Sequence, residues 1–136
     1  MKIQHVDPAY IHVIWEQIAP FFKLVLDKSE VDEYTLDQVK VRITDGVWQV
    51  LVAVDETNAI AGAATLHFFN RPDARVGYIS LMGGRLISNA DTFEQLKKFM
   101  AINGATKIEG SARESVARLL TRYGFKEKYR VVGVSI

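Results

Sequence analysis

Cysteine is absent from the 136 residues, which excludes disulfides, thiolate metal ligands and cysteine nucleophiles. No apolar run approaches the roughly 20 residues that a membrane-spanning helix needs, and no stretch reads as a signal peptide. Of the three histidines, His5 and His12 fall in the first strand and first helix with no acid or second histidine at metal spacing, so no metal site is expected. Gly83-Gly84 is not followed by the Gly-Lys-Ser/Thr of a Walker loop. Repeats, low-complexity tracts and linkers are also lacking. The remaining composition, 49% hydrophobic and 24% charged, is ordinary for one globular domain spanning 1–136.

Charge is balanced in total, at +1, and unevenly placed. Residues 1–60 hold ten Asp/Glu against five Lys/Arg, whereas residues 61–136 hold twelve Lys/Arg against six Asp/Glu. An acidic front and a basic back suit association with neighbours or an anionic ligand; a solvated mixed surface accounts for the same asymmetry.

Along the chain, Met1–Val6 reads as a short strand, and Asp7-Pro8 as a helix start with Asp at the cap and Pro at the first turn. Ile11, Ile14, Trp15, Ile18, Phe22 and Val25 recur at helical spacing, with a kink or break expected at Pro20. Ser29–Tyr34 reads as a polar loop. Thr35-x-x-Gln38 is a capping box for a short helix that Gly46 ends. Three strands follow as an antiparallel meander, at Val47–Asp55, Ile60–Phe69 and Arg75–Met82, with Asn70–Asp73 as a loop; Gly62-Ala63-Ala64 implies close packing on the second.

The third strand breaks at Leu81-Met82-Gly83-Gly84 and leads through Arg85-Leu86-Ile87-Ser88-Asn89-Ala90 into an amphipathic helix that Gly104 stops. A glycine-bearing loop feeding a helix N-terminus is a natural phosphate cradle, because outward N–H groups and the helix dipole both favour an anion. Asp91-x-x-Glu94 also has capping-box spacing, so the helix can cap itself with Asp91. Thr106–Gly110 is a crossover-linked strand, expected parallel to the strand before the cradle. Ser111-x-x-Glu114 is a further capping box, for a helix whose core side carries Val116, Leu119, Leu120 and Tyr123 and which Gly124 ends; Lys126–Ile136 is expected to close the chain as a strand. Trp15, Phe22, Trp48, Phe93, Phe99, Leu119 and Tyr123 are expected in the core.

This order of elements resembles the GNAT family, the Gcn5-related N-acetyltransferases, over nearly the whole length. The family's pyrophosphate loop reads Gln/Arg-x-x-Gly-x-Gly/Ala, and Arg85-x-x-Ser88-x-Ala90 matches all but the middle glycine. The family's last helix and strand read Asn-x-x-Ala-x-x-Leu-Tyr-x-x-x-Gly-Phe, of which Leu119, Gly124 and Phe125 are kept. The resemblance implies an α+β fold: a mixed, mainly antiparallel central sheet flanked by helices, with one parallel, splayed strand pair. It implies acetyl-CoA contacts at Leu81, Met82, Gly83, Gly84, Arg85, Ser88, Asn89 and Ala90, with the 3′-phosphate near Arg113. Where the family places a general-acid tyrosine stands Leu120, which cannot donate a proton, and Arg113 replaces the asparagine. Ser88 adds a Cβ where a loop glycine admits phosphate. His67 and Tyr78 are the titratable groups of the central strands, and packing roles account for both. The catalytic residues are therefore left unassigned.

Gly-Gly-Arg after the strand, Asn-Gly-Ala, and a last helix ending Tyr-Gly-Phe are also similar to short acetyltransferase-like proteins of tailed bacteriophages. That resemblance implies a virion or assembly protein, made in the host cytoplasm, with other virion proteins or copies of itself as partners. On this reading the acetyl-CoA site is eroded and no cofactor is expected. Two alternatives stand beside it: an active acetyl-CoA-dependent N-acetyltransferase with atypical catalytic residues, and a small acyl-CoA or nucleotide-binding regulator. Lys107, Arg113, Arg118, Arg122, Lys126, Lys128 and Arg130, interleaved with Tyr123, Phe125 and Tyr129, offer a contact to nucleic acid or an acidic protein surface; a solvated helix and edge strand are the preferred account of them.

Overall fold

A computed structural model describes residues 1–29 and 33–136. Strand β1 (Lys2–Val6) is followed by the Asp7 cap, whose carboxylate accepts from the Ala9 N–H at 2.9 Å. One 3-10 turn, Pro8–Tyr10, then runs into α1 (Ile11–Lys28). Helix α2 (Leu36–Thr44) opens on the expected Thr35–Gln38 capping box, with both reciprocal bonds made. Strands β2 (Gln49–Val54), β3 (Ile60–Arg71) and β4 (Ala74–Gly84) form the meander. Helix α3 (Ala90–Ile102), β5 (Lys107–Gly110), the short α4 (Glu114–Leu120) and a 3-10 turn at Thr121–Tyr123 complete the regular elements among the described residues.

The sheet order is β1-β2-β3-β4-β5, antiparallel throughout except for the parallel pair β4/β5. Period-two alternation sorts the side chains onto two faces. Val50 and Val52 point toward α1 and α2, where Ile11, Ile18, Phe22, Val39 and Ile43 are fully buried. Leu51 and Ala53 point the other way, packing with Leu66, Ile79 and Leu86 against Leu96 and Met100 of α3. Each fully buried Val, Leu, Ile, Phe or Met among them contributes about 1.5–3 kcal/mol relative to exposure.

Several expectations need correction. Of the kink or break expected near Ala19, the break does not occur: helix α1 runs continuously through Pro20. One N–H is lost there, yet buried Ile18 and Phe22 on either side hold both halves against the sheet. The β3–β4 hairpin is tighter than a loop over Asn70–Asp73: Asn70 pairs with Arg75 and Arg71 with Ala74, leaving Pro72-Asp73 as the turn. The loop expected at Ser29–Tyr34 lies partly outside the described residues. Of the expected core, Phe22 and Trp48 are buried, Trp15, Phe93, Phe99 and Tyr123 are half-buried, and Leu119 is 57% exposed. Leu119 misses the core because α4 has only seven residues and turns just Val116 and Leu120 inward. The Ser111–Glu114 capping box does not form; the cap position is Arg113, which makes no side-chain capping bond. Finally, Lys126–Ile136 is not a strand, since it pairs with none of the described strands.

Candidate functional site

Two local features pry β4 away from β5. Pairing passes from Leu66↔Ile79 to Thr65↔Leu81, so Ser80 is an extra residue on β4, a bulge that bends the strand. The Ser80 hydroxyl bonds the Thr65 hydroxyl at 2.7 Å and donates to the Thr65 carbonyl at 3.2 Å. The parallel pairing with β5 spans only Val76–Ile79 against Lys107–Gly110, while β4 continues to Gly84. From Ser80 onward the β5-facing edge of β4 therefore has no strand neighbour among the described residues, and a cleft of about 440 Å³ opens there. The Tyr78 hydroxyl, hydrogen-bonded to Ser111 Oγ, ties the strands together where they part.

The cleft is walled by Leu81, Met82, Gly83 and Gly84 of β4, by Leu24 and Val25 of α1, and by Val116 and Leu120 of α4. Tyr34, Ser111 and Arg113 add polar groups. Glycine is needed at Gly83, since a Cβ would meet the backbone of Phe21, 3.0 Å from its carbonyl carbon. At Gly62 a Cβ would lie 2.7 Å from the Leu86 nitrogen and 2.8 Å from that of Arg85. The loop after β4 thus lies directly on β3, and the Arg85 N–H donates to the Ala61 carbonyl at 2.9 Å. This is the close packing that Gly62-Ala63-Ala64 predicts.

At the start of α3 the cap differs from the sequence expectation. Asn89, not Asp91, is the cap: its side chain accepts from the Thr92 N–H at 2.9 Å. The Thr92 hydroxyl accepts in return from the N–H groups of Asn89, at 3.2 Å, and Ser88, at 3.0 Å. Asp91 stands one residue inside the helix, and its carboxylate accepts from Gln95 Nε2 at 2.9 Å. Asn89 prevails because Thr92 is fully buried and can reciprocate, whereas the Glu94 carboxylate bonds Lys97.

Few groups here can move a proton. Burial, with Glu33 nearby, raises the Tyr34 hydroxyl above its ordinary value. Arg71 binds Glu109 with both guanidinium nitrogens and holds its carboxyl below the usual carboxylate range. His67 packs among rings: it stacks on Trp48 at 6.4 Å between centroids and lies 5.3 Å from Tyr78. Burial holds its imidazole below the ordinary histidine range, and its Nδ1 is buried without a hydrogen-bond partner. No cluster of metal-binding side chains occurs among the described residues.

Of the residues singled out from sequence, the structure gathers Leu81, Met82, Gly83, Gly84 and Arg113 around the cleft. Arg85, Ser88, Asn89 and Ala90 follow Gly84 as an exposed loop and are not part of the cleft wall. Sequence reading missed Tyr34, Leu24, Val25 and Ser111, which come from elements far apart in the chain; their only sequence signal is helical or loop position. The basic residues of the last third are partly spoken for: Arg118 pairs with Glu114 at 3.2 Å and Arg130 with Glu127 at 3.6 Å.

No family model matches this sequence, and no curated protein matches it. Solved structures do. A probable acetyltransferase superposes with a TM-score of 0.71 at 13% identity, covering 100% of this chain and 98% of that one. The ribosomal-protein-alanine N-acetyltransferase of Brucella melitensis biovar Abortus 2308 gives 0.70 at 11% identity, with both chains covered completely. A predicted acetyltransferase of Clostridium acetobutylicum, solved with acetyl-CoA, gives 0.63 at 17% identity over 98% of this chain and 95% of that one. The fold is that of the GNAT acetyltransferases, with a five-stranded mixed sheet and the parallel β4/β5 pair expected from the sequence; the sixth strand expected at Lys126–Ile136 does not form.

Proposed function

We propose that this chain uses an acetyltransferase fold for binding rather than for acyl transfer, as a structural or assembly protein whose partners are proteins. One observation carries the reading: the Asn89–Thr92 capping box engages the N–H groups of Ser88 and Asn89, donors that a pyrophosphate at this loop would require. The Asp91 carboxylate adds a negative charge to the same helix turn. Leu120 lines the cleft where a proton donor would be needed, and Glu109 is neutralised by Arg71. The setting we propose is the particle of a tailed bacteriophage, supported by the sequence patterns around Gly83-Gly84-Arg85 and Tyr123-Gly124-Phe125.

A second reading, an active acetyl-CoA-dependent N-acetyltransferase, is favoured by the open cleft and the unpaired edge of β4. There the backbone of residues 80–84 can receive an extended acyl-amide chain in place of a strand. Tyr34 and the Tyr78–Ser111 pair are then the hydroxyls at hand to protonate a departing thiolate.

Thermal unfolding with and without millimolar acetyl-CoA separates the two. A ligand present at a hundred times its dissociation constant adds about 2.7 kcal/mol, and the binding-only reading expects almost none of that. Leu120→Tyr alone should not create turnover. Micromolar affinity in the unmodified protein, with transfer to an amine, would establish the enzyme instead.

A further inference from the structure

A side chain stands where a neighbouring strand would on the outer edge of β1. Strand β1 ends the sheet, with β2 on one side and no described strand on the other. The Ile3 N–H donates to Gln95 Oε1 at 2.8 Å, and Gln95 Nε2 donates to the Met1 carbonyl at 3.0 Å. One carboxamide thus serves backbone groups two residues apart, as the N–H and C=O of one residue on a parallel neighbour would.

Asp91 sets the direction of that amide. An ionised carboxylate only accepts hydrogen bonds, and Asp91 Oδ2 takes Gln95 Nε2 at 2.9 Å, so Oε1 is turned to the Ile3 N–H. Asp91, Gln95 and Phe99 recur at every fourth residue on one side of α3. The Phe99 ring stacks on His5, with centroids 5.5 Å apart and an interplanar angle of 25°. Helix α3 therefore lies along β1 from Met1 to His5. Its cover is incomplete. Outward-facing residues alternate in an antiparallel pair, so the His5 N–H and the carbonyls of Ile3 and His5 point the same way as the Ile3 N–H. No described strand meets them.

We propose that Asp91 and Gln95 form a latch over a pairing surface on β1, and that removing the latch admits β1 of a second copy. The strand is complementary to itself across a two-fold axis at Gln4. Ile3 of each copy then lies opposite His5 of the other, and both outward residues exchange N–H and C=O bonds. Lys2 falls opposite Val6, so no like charges face one another. In the single chain Gln95 already holds the Ile3 donor, which is how a covered edge escapes association. Acetyl-CoA has no part in this pairing, so its outcome is separate from that of the binding-only reading.

The test is sedimentation velocity with amide hydrogen exchange on the full chain, between about 1 and about 100 µM. In Gln95→Leu at the low concentration, the Ile3 amide should exchange on the order of fivefold faster than in the parent. At the high concentration the variant should dimerise, and its Ile3 and His5 amides should slow together; the parent should show neither change. Adding His5→Pro removes an outward N–H, leaves the ladder to β2 intact and should return the variant to monomer. Asp91 is exposed, so Asp91→Ala leaves the packed side of α3 unaltered and should by itself speed Ile3 exchange. A Gln95→Leu chain that stays monomeric overturns the proposal. A dimer that survives His5→Pro, or Ile3 exchange unmoved by Asp91→Ala, overturns it equally.

Discussion

Asn89 and Thr92 bond one another reciprocally across the first turn of α3: each side chain accepts from the other's backbone N–H, at 2.9 and 3.2 Å. The Thr92 hydroxyl also takes the Ser88 N–H at 3.0 Å, so a single buried side chain occupies two of the loop's donors. This pair stabilises the helix start, and on the proposed reading it also closes the loop to anions.

Thr92→Val keeps the shape and removes the hydroxyl. The helix start should lose about 0.5–2 kcal/mol, measured by urea denaturation. The freed N–H groups of Ser88 and Asn89 should then raise acetyl-CoA affinity above that of the parent, measured by calorimetric titration. Unchanged or weaker binding would mean that the cap is not what closes the loop.

Phe22 and Leu119 should respond oppositely to truncation. Phe22→Ala empties a fully buried position between α1 and the sheet and should cost about 3–5 kcal/mol. Leu119→Ala, on an exposed side of α4, should stay within about 0.5 kcal/mol. Phe99→Ala should fall between them, its ring being half-buried against His5 and Phe68. Equal costs at Phe22 and Leu119 in chemical denaturation would show α4 packed differently.

Gly62→Ala should displace the loop after β4. The new Cβ would press on the Arg85 and Leu86 nitrogens, backbone atoms that cannot swing aside. A loss of about 1–3 kcal/mol is expected, together with faster amide exchange at residues 85–89. Wild-type stability would show that the loop does not rest on β3.

His67 gives the fold a dependence on pH. Its folded pKa is lowered by burial, so below about pH 6.5 the unfolded chain takes a proton that the folded chain resists. The associated stability is complete above that pH and declines as pH falls through the lowered folded value. His67→Phe retains a ring beside Trp48 and Tyr78 but cannot titrate. Its denaturation midpoint should therefore drop less than that of the parent between pH 7.5 and 5, and an equal drop would remove His67 as the source.

Much of this architecture was legible because its signals are local. Asp7 with Pro8, and Thr35 with Gln38, are caps made within a few residues, and both form as the sequence suggests. The alternation in β2 and the spacing of Ile11, Ile18 and Phe22 assign faces without knowledge of what covers them. The crossover through α3 likewise leads directly to the parallel β4/β5 pair. At the start of α3 the local reading chose Asp91 and passed over Asn89. Asp91 and Asn89 both offer caps three residues ahead of a polar partner, and burial of Thr92 in the packed interior gives the cap to Asn89.

By itself the sequence determined most of the element order and the two-faced sheet, consequences of period and propensity over short spans. The strand expected to break at Gly83-Gly84 instead runs through both glycines, paired with Ala63 and Gly62. Only the tertiary structure decided the cleft's walls, where Tyr34, Leu24, Ser111 and Leu120 meet β4 from segments up to some ninety residues apart. It decided that α1 survives Pro20, that Leu119 faces solvent, and that residues 126–136 are without a strand neighbour among those described. Each depends on which surfaces meet after collapse, and the free energy of those contacts is carried by residues that no local window contains.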